Sequence, residues 1–208
     1  LAARIAFPVT VDNDANAAAW AEATYGAARG ESHVVMITLG TGIGGALLLG
    51  GRLHTGRNGM AGEFGHTQAV PGGRPCECGR TGCWEQYCSG KALARFALEA
   101  GSDLRGPALT LAAQAGDPVA LGAFAEIGRW LGVGLADLVA GFDPELVVVG
   151  GGVSAAGDLL LLPARQALHA TLVGSGYREV PALVPAALGP LAGLVGAAEL
   201  ARIANRPS

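Results

Sequence analysis

Apolar positions along the chain switch between two rhythms. Val34–Leu39 is a run of β-branched and other largely apolar side chains between His33 and Gly40, which predicts a buried strand. Gly40-Thr41-Gly42-Ile43-Gly44-Gly45 reads as a turn and Ala46–Leu49 as a returning strand. Gly50-Gly51 then turns into Arg52-Leu53-His54, so a meander is predicted. Upstream, Phe7–Val11 reads as a short strand. Asp12-Asn13-Asp14 follows it, then an alanine-rich helix from Ala15 to Ala28 that Asn13 or Asp14 can cap.

The second half alternates helix and strand. Helices are predicted over 89–100, from Pro107, and from Asp117-Pro118 to Ala140, where an aspartate cap precedes a first-turn proline. Glu145–Val149 is a strand closed by Gly150-Gly151-Gly152. A helix over 159–172, a strand over Ala182–Ala187 and a helix over Ala192–Ala204 complete the chain. Such alternation predicts an α/β layered fold. Residues 56–84 fit neither rhythm. A structureless loop of that length inside a compact domain needs something to hold it.

Composition narrows the classes. With 208 residues, half of them hydrophobic and 15% charged, the chain can bury a substantial core and is no disordered tail. A net charge of -3 offers no basic face for nucleic acid. No uncharged apolar run reaches the roughly 18 residues of a membrane span; the nearest, Leu131–Phe142, carries Asp137 and three glycines. No signal peptide is read, so no membrane and a cytoplasmic location are expected. All four cysteines lie within residues 76–88, too local for a disulfide framework and suited to a metal site in a reducing compartment.

Five groups of residues carry candidate chemistry. Gly40, Gly42 and Gly45 fit G-x-G-x-x-G, but a strand rather than a helix follows and no Lys-Ser/Thr pair is present. Neither a dinucleotide fingerprint nor a Walker A loop fits. What remains is a hairpin whose amides and Thr41 hydroxyl can face phosphate oxygens, or a tight hairpin with no ligand. Asp12-Asn13-Asp14-Ala15-Asn16 lies at a strand-to-helix junction. An aspartate there can take a proton from a substrate hydroxyl and an asparagine can bond its neighbours, or the group only caps the helix.

His66-x9-Cys76-x-Cys78-x4-Cys83 supplies one imidazole and three thiolates, a closed shell for structural zinc, against the alternative of free buried thiols. Cys88 lies outside this spacing and reads as a small core residue; His33, His54 and His169 read as surface or loop residues. Glu63 and Glu85 flank the group. Their planar carboxylates can accept from pairs of hydroxyls, or they are exposed surface glutamates. Finally, Leu146–Val149 ends in three glycines whose bare backbone can lie against an adenine or ribose, or is a packing turn.

Taken in order, these segments resemble the ROK family of repressors and sugar kinases. The resemblance rests on Asp12-Asn13-Asp14-Ala15-Asn16, Leu39-Gly40-Thr41-Gly42-Ile43-Gly44-Gly45, Gly62-Glu63-Phe64-Gly65-His66, Cys76-Glu77-Cys78-Gly79 with Gly82-Cys83-Trp84-Glu85, and Phe142-Asp143-Pro144 leading to Val149-Gly150-Gly151-Gly152. Among members the chain is most similar to bacterial glucokinases, through Asn16-Ala17-Ala18-Ala19-Trp20 and Cys83-Trp84-Glu85-Gln86-Tyr87.

The resemblance implies an α/β, actin-like ATPase (ribonuclease H-like) fold, mainly the large C-terminal domain of a two-domain sugar kinase. Residues 1–12 would end the small N-terminal domain, 13–190 would form the large domain with a zinc-binding loop at 56–88, and 191–208 would be a C-terminal helix packing back on the small domain. The implied activity is ATP-dependent phosphorylation of glucose at its 6-hydroxyl. N-acetylmannosamine, another hexose, or a sugar-sensing repressor role are the alternatives.

By the same resemblance Asp14 is the catalytic base, and Asn13, Glu63, His66 and Glu85 bind the sugar. Gly40, Thr41, Gly42, Gly44 and Gly45 bind the ATP phosphates, and Gly150, Gly151 and Gly152 the adenosine. His66, Cys76, Cys78 and Cys83 hold structural Zn2+, and Mg2+ accompanies ATP. A hexose, ATP and further copies of the chain, as homodimer or homotetramer, are the implied partners. The family's Asp-x-Gly-Gly-Thr phosphate turn is not in this sequence, and family proportions put about a hundred residues ahead of Leu1.

Overall fold

The computed structural model describes residue 4 and residues 7–205. Its centre is a five-stranded sheet of β1 (Val34–Leu39), β2 (Ile43–Leu49), β3 (Arg52–Leu53), β4 (Leu146–Gly150) and β5 (Ala182–Pro185), in the order β3-β2-β1-β4-β5. β2 runs antiparallel to β1 and β3, while β4 is parallel to both β1 and β5. Helices α1 (Asp14–Tyr25) and α6 (Ala192–Ala204) cover one face. Helices α2 (Gly90–Glu99), α3 (Gly106–Gln114), α4 (Pro118–Phe142) and α5 (Asp158–Thr171) cover the other.

Burial on both faces explains why β1 and β4 read as continuous apolar runs. Val35, Ile37 and Leu39 share a core with Val147, Val149 and helices α2–α5. Val34, Met36, Leu146 and Val148 point the other way, into a core with the alanines of α1. By length and composition α4 is long and apolar enough to cross a membrane, and half of that apolar stretch is buried inside the fold. Its start matches the expected signal: the Asp117 carboxylate accepts from the Ala120 N–H at 2.8 Å, with Pro118 following.

Three expectations change. Phe7–Val11 pairs with no strand among the described residues, and Phe7 and Val11 are 78% and 83% exposed. A strand needs a neighbour to satisfy its backbone, and the described sheet offers this segment none. Helix α1 stops at Tyr25 rather than Ala28, because the Glu22 side chain takes the Ala27 N–H out of the helical ladder. β2 begins at Ile43 rather than Ala46: Gly44 and Gly45 pair with Thr38 and Ile37, so the turn shrinks to Gly40–Gly42.

Glu22 is fully buried, and its carboxylate accepts from three backbone N–H groups: Ala27 at 2.7 Å, Ala187 at 3.0 Å and Leu188 at 2.8 Å. It thereby ties α1 to the segment that joins β5 to α6. Glu22→Ala strands these donors in an apolar interior and is expected to cost about 3 kcal/mol or more of stability. Urea unfolding measures the loss; a change below about 0.5 kcal/mol would mean that water replaces the carboxylate.

Candidate active site

The first turn of α1 is built by three adjacent polar residues with separate tasks. Asn13 is the cap: its Oδ1 accepts from Ala15 N at 2.8 Å and Asn16 N at 3.3 Å. Asp12 Oδ1 accepts from Asn13 N and from Asn16 Nδ2, which orients the cap. Asp14 is the first helical residue and is exposed, with Oδ1 accepting from Ala15 N at 2.8 Å. Since Asn13 takes the capping role, the Asp14 carboxylate keeps an open side.

The β1–β2 hairpin passes beside this turn. Its glycines are sites of close approach. A Cβ on Gly42 would lie 2.4 Å from Glu85 Oε2, so the Glu85 carboxylate rests on bare backbone. At Gly45 a Cβ would meet the Phe64 ring and the Gly62 carbonyl, and Gly62 itself has φ +103. This contact lays segment 62–65 against β2 and sets Glu63 beside the hairpin.

Residues 56–88 form the loop in which the sequence places a zinc site. It folds on itself through Cys76 N–H to Arg80 O, Gly82 N–H to Arg74 O and Trp84 N–H to Thr67 O. Trp84 is 1% exposed and donates to the Trp130 carbonyl at 2.8 Å, which anchors the loop on α4. The ligand atoms of His66, Cys76, Cys78 and Cys83 all lie within 4.8 Å of one another. Cys76 Sγ is 3.7 Å from His66 Nδ1, and Cys78 Sγ is 3.6 Å from Cys83 Sγ. A tetrahedron with Zn–S bonds of about 2.3 Å has edges of about 3.8 Å, so the four fit a metal ion of that size.

Burial pushes the Cys83 thiol up to about 12 and also raises Cys76, while the Arg80 backbone N–H lowers Cys78. A divalent cation would supply the charge that buried thiolates lack. Cys88 is fully buried in the core, as expected, and burial raises its thiol too. His33 is exposed but not without a partner: its Nδ1 lies 3.8 Å from Glu145 Oε1.

Glu85 joins the metal-competent cluster to the hairpin. Its Oε1 lies 3.1 Å from Cys76 Sγ and 3.7 Å from His66 Nδ1, and its Oε2 rests on Gly42. Across the imidazole, His66 Nε2 is 4.0 Å from Glu63 Oε2. Asn13, Asp14, Glu63 and Glu85 line one cavity of about 450 Å³, together with Gly40–Gly45. A second cavity of about 520 Å³, largely apolar, lies past the same turn and includes Gly40, Thr41 and Gly152.

Gly150 and Gly151 line neither cavity. Gly150 pairs with Thr38 at the end of β4, and a Cβ on Gly151 would strike the Leu39 carbonyl. His66 is not among the lining residues but touches two that are. Sequence reasoning missed Thr38, which faces the first cavity from β1, and Lys91, which lines the second. Lys91 pairs with Glu77 at 2.5 Å, which holds the Glu77 carboxyl below and the Lys91 ammonium above their ordinary ranges.

Comparison with known proteins places this arrangement. Glucokinase of Streptomyces coelicolor is 46% identical over 218 residues, which is 96% of this chain and 69% of that protein. The crystal structure of a ROK family glucokinase from Streptomyces griseus in complex with glucose and AMPPNP superposes with a TM-score of 0.92 at 47% identity, over 97% of this chain and 70% of that one. ROK hexokinase from Thermus thermophilus gives a TM-score of 0.81 at 42% identity, over 96% of this chain and 66% of that one. The fold is therefore the actin-like ATPase fold of these enzymes. With residues 1–204 matching the ROK family as a whole, the chain belongs to that family.

Proposed function

We propose that the protein transfers the γ-phosphoryl group of ATP to the 6-hydroxyl of glucose. One observation carries this reading. An exposed aspartate, an asparagine and two glutamates surround a cavity that shares Gly40 and Thr41 with an apolar cavity beyond them. The polar side suits a hexose, whose hydroxyls pair with planar carboxylates. The apolar side suits a nucleoside, and the turn between them suits the phosphates.

In this reading Asp14 accepts the proton of the 6-hydroxyl as that oxygen attacks the γ-phosphorus. Asn13, Glu63 and Glu85 fix the ring, and His66 steadies both glutamates. Phosphoryl transfer has a loose transition state, so alignment and charge neutralisation outweigh base strength. The Thr41 and Gly42 amides and the Thr41 hydroxyl face the polyphosphate, with Gly40, Gly44 and Gly45 keeping the backbone around it bare, and Gly152 faces the adenosine side; Gly150 and Gly151 support it from the end of β4, Gly151 packed on Leu39. Mg2+ bound with ATP supplies neutralising charge. His66, Cys76, Cys78 and Cys83 would hold Zn2+ as a closed, structural shell that orders Glu63 and Glu85. Residues 13–190 then make up the large domain, α6 lies against its α1 and would also pack back on the small domain, and a cytoplasmic homodimer or homotetramer is the corresponding assembly.

A coupled assay of the full-length protein over a panel of hexoses tests the substrate. Glucose is expected to give the highest kcat/KM, at least about tenfold above N-acetylmannosamine. Preference for the N-acetyl sugar would move the assignment to that kinase. No phosphorylation of any hexose, with sugar still bound, would favour a sugar-sensing repressor.

A further inference from the structure

Lys91 stands beside the Gly40–Gly42 turn, on the side of the apolar cavity. It lines the apolar cavity with Gly40 and Thr41, and also a recess of about 110 Å³ between the turn and Glu85. No cationic residue is among those lining the hexose-side cavity. Arg105, the other cation of the apolar cavity, does not line the recess. A polyphosphate laid over the turn thus runs past one ammonium group common to both spaces. The backbone fixes its distance: Gly90 N–H donates to the Gly40 carbonyl at 2.8 Å, so the residue next to Lys91 is bonded to the turn itself.

The helix itself does not favour a cation at this position. Lys91 is the second residue of α2, where the helix dipole disfavours a cation, and the first turn holds no acidic residue. Violations of a local rule are expected where function compensates. Glu77 supplies the compensating charge, but the pair is open to water: the side chains of Lys91 and Glu77 are 50% and 83% exposed. Such pairs hold weakly and exchange readily for a more highly charged partner.

We propose that Lys91 binds the polyphosphate of ATP, leaving Glu77 as it does so, and that Glu77 competes with the nucleotide for it. This rests on the kinase reading of the site. Glu77 lies between two of the thiols of the metal-competent cluster, so the loop that orders the hexose carboxylates also sets the availability of the nucleotide's counter-charge.

The test is Lys91→Gln and Glu77→Gln in the full-length protein, assayed with varied Mg·ATP at saturating glucose and the reverse. Lys91→Gln is expected to raise the KM for ATP about tenfold, with the KM for glucose and kcat within about twofold, because a contact made equally in ground and transition states appears in KM alone. Lys91→Arg restores most of the loss. Glu77→Gln lowers the KM for ATP about two- to threefold by freeing the ammonium. An unchanged KM for ATP in Lys91→Gln, an equal rise for both substrates, or weaker ATP binding in Glu77→Gln would overturn the proposal. Calorimetric titration with Mg·ATP in the absence of sugar reads the same contact. It separates failure of this assignment from failure of the glucokinase reading.

Discussion

Asp14→Asn in the full-length protein is expected to lower kcat by at least about 10²–10⁴-fold with little change in stability or in the KM for glucose. The size of the loss follows from removing the group proposed to take the hydroxyl proton. The selectivity follows from the local structure. Asn13, not Asp14, caps α1, and the Ala15 N–H that Asp14 accepts can be accepted as well by an asparagine Oδ1. Neither the helix nor the pocket outline therefore depends on the charge at position 14. A thermal melt and a glucose titration of the variant check that it is folded and binds. Turnover within about threefold of the parent would remove Asp14 from the mechanism.

Cys78→Ser is expected to abolish binding of the proposed Zn2+ and to raise the KM for glucose by about 10–100-fold together. Cys78 is the exposed member of the four, so the exchange of sulfur for oxygen buries nothing and exposes nothing. Its effect passes through the cluster alone. Without a cation, the buried Cys76 and Cys83 revert to neutral thiols, and His66, whose two nitrogens lie near Glu85 and Glu63, loses its fixed orientation. Metal content by mass spectrometry and glucose affinity by titration check the coupling, and a chelator acting on the parent protein should reproduce both. Unchanged glucose affinity in metal-free protein would show that the loop's own hydrogen bonds suffice to hold the two glutamates.

Much of this architecture was legible because its signals are local. The residue types of Val34–Leu39 and Leu146–Val149 mark doubly buried strands, Asp117-Pro118 marks the start of α4, and the spacing of His66, Cys76, Cys78 and Cys83 marks a four-ligand group. What stayed hidden depends on distant contacts. The end of α1 is decided by Glu22, whose other partners lie about 165 residues away. The strand expected at Phe7–Val11 finds no sheet partner among the described residues, and no local pattern reports on one. Lys91 carried a readable sign, a cation in the first turn of a helix, but its nearness to Gly40 comes from the tertiary contact of Gly90.

Gly40 and Gly42 sit two residues apart in the same turn and face opposite fates under change. A methyl at 42 would press on Glu85 before it met any phosphate, whereas one at 40 would meet nothing within 4 Å. Gly40 borders both cavities, so in the proposed reading a small side chain there would alter the wall between donor and acceptor without pressing on Glu85. At position 42 any side chain displaces the Glu85 carboxylate, so under the proposed function a change there would couple donor and acceptor preference.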